Sequence, residues 1–209
     1  GPSGAVTAAP STSPTTASIA PSGTPVDSAE LARRITGAIV DAGSMRLRAT
    51  VDGQVLDVDI SYAAGAAALR LPNPLDAASD LLIVDGMVYL GGGTGATSWT
   101  SFPLASTNPN VAPVAERARL IAERVTLDGL TAAITRGSVG EVSREGGLTA
   151  YDIAYAAGQG ERTKLTVDAD WHVHTVDLAG SPPISLVIAD YGVVGPILAP
   201  PAAEVVPLS

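Results

Sequence analysis

Residues 45–62 read MRLRATVDGQVLDVDISY, and their alternation decides the fold. Met45, Leu47, Ala49 and Val51 alternate with Arg46, Arg48 and Thr50; beyond Asp52 and Gly53, Leu56, Val58, Ile60 and Tyr62 alternate with Asp57, Asp59 and Ser61. Successive side chains of a strand point to opposite faces, so each run carries one apolar and one polar face. Asp-Gly is a tight-turn dipeptide, because its second residue takes a positive φ without a Cβ clash. The stretch reads as an antiparallel hairpin, wet on one face and covered on the other.

Upstream the period changes. Asp27 with Glu30 three residues on is a capping-box-like start, Leu31, Ile35 and Ile39 share one helical face, and Gly43 closes the helix. Downstream, Ala67, Leu69 and Leu71 continue a third strand, and Leu81 to Leu90 form a strand pair turned at Asp85 and Gly86. Val114, Ala118, Ile121 and Val125 then share a helical face, and Leu127, Leu130 and Ile134 carry a second short helix to Gly137. The two-residue period returns with Tyr151, Ile153 and Tyr155, then Leu165 and Val167, Trp171 with Val173, and Ile184, Leu186 and Ile188. The order helix, strands, helices, strands predicts an α+β domain: a large curved antiparallel sheet, or half-barrel, wrapping a few helices. The two strand blocks are candidate halves of one sheet. So much one-sided sheet has little helical cover, which hints at an apolar cavity; ordinary packing across a bent sheet is the alternative.

Residues 1–26 differ from the rest. Of these, 23 are Ala, Gly, Pro, Ser or Thr and none is charged, too little apolar surface to offset the entropy of ordering. They read as a disordered tether, dispensable for folding, with a single domain over residues 27–209. As a flexible coil the tether spans about 30 Å root-mean-square. Its first residues, Gly1 and Pro2, look like a protease-cleavage scar.

Composition excludes several functions. The net charge of -9, from 12 basic and 21 acidic residues, provides no basic stripe for nucleic acid. With no cysteine, disulfides, thiolate zinc sites and cysteine nucleophiles are excluded. No apolar run reaches the roughly 18 residues of a membrane span. His172 and His174 could share a strand face beside Asp168, Asp170 and Asp177, but a structural zinc site needs about four ligands; they are expected on the solvated face opposite Trp171 and Val173, with no metal. The glycines at 91, 92, 93 and 95 lack the lysine and following helix of a phosphate loop and read as a hairpin end. Asp57 and Asp59 could pair as acid and base, yet the same spacing describes a solvated strand face. There is no nucleophile elbow, so no enzymatic activity and no cofactor are expected.

The segment Val84-Asp85-Gly86-Met87-Val88-Tyr89, followed by Trp99-Thr100-Ser101-Phe102, resembles the actinobacterial envelope lipoproteins of the LppX/LprAFG type, whose fold is similar to the LolA and LolB carriers. The opening helix, the strand meander, the D-G-x-x-Y hairpin, the tryptophan before a helical middle and the second set of strands follow that order. Asp190-Tyr191-Gly192 and Ala199-Pro200-Pro201 look like the tail of such lipoproteins, so the likeness runs from about residue 27 to 201. The resemblance implies a half-barrel with a hydrophobic cavity for the acyl chains of a lipid or glycolipid, held or transferred at the outer face of the plasma membrane. The family's lipid-modified cysteine is not in this sequence, so an N-terminal lipid anchor is inferred. The cavity wall would come from the alternating apolar positions Leu47, Ala49, Leu56, Val58, Ile60, Leu69, Ile153, Leu165, Val167 and Leu186. The competing reading is a protein-interaction or sensor module with the same fold and no lipid ligand.

Overall fold

The computed structural model describes residues 20–62, 66–91, 98–156 and 160–208. Among them a first strand, β1 (Thr24–Val26), leads into α1 (Ser28–Ala42). A meander follows: β2 (Ser44–Val51), β3 (Gln54–Ser61), β4 (Ala68–Asn73), β5 (Asp76–Val84), β6 (Met87–Gly91) and β7 (Trp99–Pro103). Two helices, α2 (Ala112–Val125) and α3 (Leu127–Arg136), precede the second meander of β8 (Ser138–Glu145), β9 (Leu148–Ala154), β10 (Arg162–Val167), β11 (Val173–Leu178) and β12 (Ile184–Tyr191), and β13 (Val205–Pro207) ends the fold. All strands join one sheet in the order β1-β8-β9-β10-β11-β12-β2-β3-β4-β5-β6-β7-β13. The two blocks are halves of that sheet, fused where β12 pairs with β2.

Local chemistry accounts for the elements. Asp27 caps α1 by accepting from the N–H groups of Ala29 and Glu30. Glu30 does not reach back to complete the box; its carboxylate holds Arg33 and Arg34 at 2.8 and 2.6 Å. The hairpin of residues 45–62 turns at Asp52 and Gly53, both at positive φ (50° and 74°), and the next turns in the same way at Asp85 and Gly86.

The register lays the inward side chains in rows. One runs Tyr151, Leu165, Val176, Leu186, Ala49, Leu56 across β9, β10, β11, β12, β2 and β3. A second runs Met45, Ile60, Leu69, Ile83, Val88, Phe102 across β2 to β7. Leu31, Ile35 and Ile39 of α1, Ala115, Ala118 and Ile121 of α2 and Leu130 and Ile134 of α3 cover these rows in one core.

Two expectations change at the ends of the chain. The sheet is antiparallel except at its far edge, where β13 runs parallel to β7. The tether does not reach residue 26: Thr24–Val26 pair with Val139–Glu141, and Ser22 donates its N–H to Asp152 at 2.9 Å. Asp152 faces outward yet is only 3% exposed, because the incoming chain lies over it. Gly140 permits that crossing, since a Cβ there would stand 2.2 Å from the Ser22 carbonyl oxygen. Residues 1–19 lie outside the described residues. On the convex side a smaller cluster joins Ile197 and Val194 to Ala68, Leu82, Val84, Tyr89 and Trp99, so the C-terminal segment straps the back of β4 to β7.

Candidate functional site

The proposed cavity wall is assembled on one concave face. Leu47 stands opposite Val58, Ala49 opposite Leu56 and Ile60 opposite Leu69, and Ile153, Leu165, Val167 and Leu186 continue the face on β9, β10 and β12. All but the half-buried Leu56 are buried. What they face is helix rather than open space. Among the described residues, small voids lie between helices and sheet. One is lined by Ile39, Leu47, Leu130, Leu186 and Tyr191 among others, and another by Leu56, Leu71, Leu81 and Val114 among others; each is about 10 Å³. That is room for about one water, against the several hundred Å³ of a typical ligand pocket. Among the described residues, α1, α2 and α3 fill the concave face.

The helical cover is fastened unevenly. At the corner between α2 and α3, Arg124 donates to the carbonyl oxygens of Ala179 (2.6 Å) and Pro182, and burial draws its pKa down. The Leu127 N–H, one of the orphan donors at the start of α3, donates to the Tyr62 hydroxyl at 3.1 Å. Burial pushes the Tyr62 phenol up to about 12 against that hydrogen bond. Tyr155 donates to the Ala133 carbonyl at 3.0 Å. Among the described residues no side-chain hydrogen bond or ion pair joins Ala112–Ile121 of α2 to the sheet; that half rests on it through Val114, Ala115, Ala118 and Ile121. Outside the corner lies an open groove of about 740 Å³ whose rim mixes Arg124 and Arg136 with Glu123, Asp128 and Glu161, charges of both signs with one acid in excess.

The polar candidates separate. Asp57 and Asp59 pair not with each other but with Arg48 at 3.0 Å and Arg46 at 2.8 Å across the β2–β3 ladder; exposed ion pairs of this kind add little to stability, because water screens them. The glycines at 92, 93 and 95 lie outside the described residues. His174 is half-exposed opposite the buried Val173, as expected, but both histidines have a partner. Asp168 stands between them, its Oδ2 3.6 Å from His172 Nδ1 and 3.1 Å from His174 Nε2. Its Oδ1 accepts from the backbone N–H groups of Asp170 and His172. Burial works to raise the Asp168 carboxyl, but the hydrogen bonds from His174 and from those amides outweigh it and hold it below the ordinary value. The His172 ring lies against the Tyr191 ring, centroids 4.5 Å apart. Spacing put these residues near one another but not Asp168 between the two rings, because that depends on a turn that places Trp171 at a φ of 68°.

No protein-family model matches the sequence, and no curated protein does. Among solved structures, the lipoprotein LppX of Mycobacterium tuberculosis is similar, with 13% identity and a TM-score of 0.48 over 80% of this chain and 97% of that one.

Proposed function

We propose that this chain is a non-enzymatic lipid- or glycolipid-binding protein of the cell envelope, held at the membrane by an N-terminal anchor, which receives acyl chains between its curved sheet and helix α2. The observation that carries the reading is the uneven fastening of the cover: continuous apolar rows lie beneath a helix bound by polar contacts at its C-terminal corner and by apolar contact alone over Ala112–Ile121. Apolar contact is non-directional, so an acyl chain can replace it without leaving a buried polar group unpaired. The magnitudes are comparable. Lifting Val114, Ala115, Ala118 and Ile121 off the sheet costs roughly 5–8 kcal/mol, while a chain of about sixteen carbons gains roughly 12 kcal/mol on leaving water. No helix of the described residues is long and apolar enough to cross a membrane.

The filled concave face favours one competing reading, an interaction module whose core never opens. Mass spectrometry of an organic extract separates them. Protein incubated with phosphatidylglycerol vesicles and freed of them by gel filtration is expected to retain lipid at a fixed ratio near one per chain. An extract without lipid overturns the carrier reading and leaves the interaction module.

A further inference from the structure

We infer that the turn between β10 and β11 is a binding site for a divalent transition-metal ion, with Asp168, His172, His174 and Asp170 as its donors. Two nitrogens and two carboxylates form the mixed donor set that suits zinc or copper(II) rather than calcium or magnesium. Donors at about 2.0–2.1 Å from a tetrahedral zinc stand about 3.3 Å from one another. Asp168 Oδ2 already lies 3.1 Å from His174 Nε2 and 3.6 Å from His172 Nδ1. The donor atoms of Asp168, Asp170 and His172 lie within 4.8 Å of one another. His174 joins that group through Asp168, and its 45% exposure leaves its ring room to turn onto the same ion.

The surroundings hold the donors in place. Asp168 is oriented by the two backbone amides that its Oδ1 accepts, which leaves Oδ2 for the ion. His172 is steadied by Tyr191, whose hydroxyl is itself fixed on the Val173 carbonyl at 2.8 Å. Metal ligands held in this way by neighbouring hydrogen bonds and rings bind more tightly than free side chains. Tyr191 touches both His172 and the inner void, so metal binding is measured by itself, on protein free of lipid.

Chelator-treated protein titrated with zinc chloride by calorimetry is expected to bind one ion in the micromolar range. Zinc at about ten times the dissociation constant is expected to raise Tm by about 3–5 °C. Cobalt(II) is expected to give the strong visible absorption of a four-coordinate site. His172→Phe keeps a ring against Tyr191 and removes both nitrogens, and His174→Ala changes a half-exposed side chain, so the double variant is expected to fold with an unchanged metal-free Tm and to lose binding at least tenfold. No heat with the parent protein, or equal binding by a folded double variant, overturns the proposal.

Discussion

Tyr62 links the sheet to the helical cover through one phenol, and its acidity makes the link testable. Its pKa is raised from 10.0 to about 12. Between these values the folded protein holds a proton that the unfolded chain has released, so stability present below pH 10 is lost as pH rises toward 12. Two units correspond to roughly 2–3 kcal/mol. Tyr62→Phe should cost about 1 kcal/mol at pH 7, the ordinary net contribution of the lost bond from the Leu127 N–H, and denaturant titrations from pH 9 to 12 should show a shallower alkaline decline. The decline should not vanish, because burial also raises the Tyr191 phenol. An unchanged alkaline slope would mean that the phenol is not buried between the sheet and α3. Tyr62 was legible as an inward strand residue and nothing more. Its role depends on where α3 begins 65 positions later, and no local pattern carries that information. The same distinction separates Leu47 or Val58, whose burial follows from alternation, from Asp168, whose neighbours are set by a turn.

At the scale of elements, strands with strict alternation and the Asp-Gly turns were legible, and so were the apolar faces of the three helices. The short edge strands were not. Thr24–Val26 and Val205–Pro207 are three residues each, too short to show a period, and both exist because a neighbouring edge offers unpaired N–H and C=O groups. The covered edge has a measurable consequence. Removing residues 1–26 takes away the β1–β8 ladder and uncovers Asp152, which pairs with Arg162 beneath the incoming chain. The expected cost is about 1–3 kcal/mol, or a fall in Tm of about 3–10 °C, whereas removing residues 1–19 alone should change Tm by no more than about 1 °C. Gly140→Ala should reproduce much of the larger loss, because its Cβ would meet the Ser22 carbonyl. Equal melting temperatures for both truncations and the parent would return residues 20–26 to the tether.

For the whole molecule, the sequence carried the one-sidedness of the sheet but not whether its concave face is filled, because alternation reports which side chains face inward and not how far away the opposing layer sits. Val114, Ala115, Ala118 and Ile121 of α2 are buried against the core, and the voids between helices and sheet are about 10 Å³ each. Val58→Trp distinguishes a cover that opens from a core that does not. Val58 is fully buried opposite Leu47, so the indole overpacks the closed state by about 1–3 kcal/mol or more. If α2 is a movable cover, the strain is relieved by parting its weakly fastened half from the sheet while the Tyr62 and Arg124 contacts hold. Hydrogen exchange should then quicken over 112–121 and remain slow over β2, β3 and β12, and the variant should no longer retain lipid from vesicles. Lipid-loaded parent protein should show the same local quickening. If the core is one cooperative unit, Val58→Trp should instead speed exchange throughout α2 and the central strands together, in proportion to the lost global stability. That uniform response, in a parent that retains no lipid, would leave the sheet and helices as a solid scaffold and move the search for function to the outer surface.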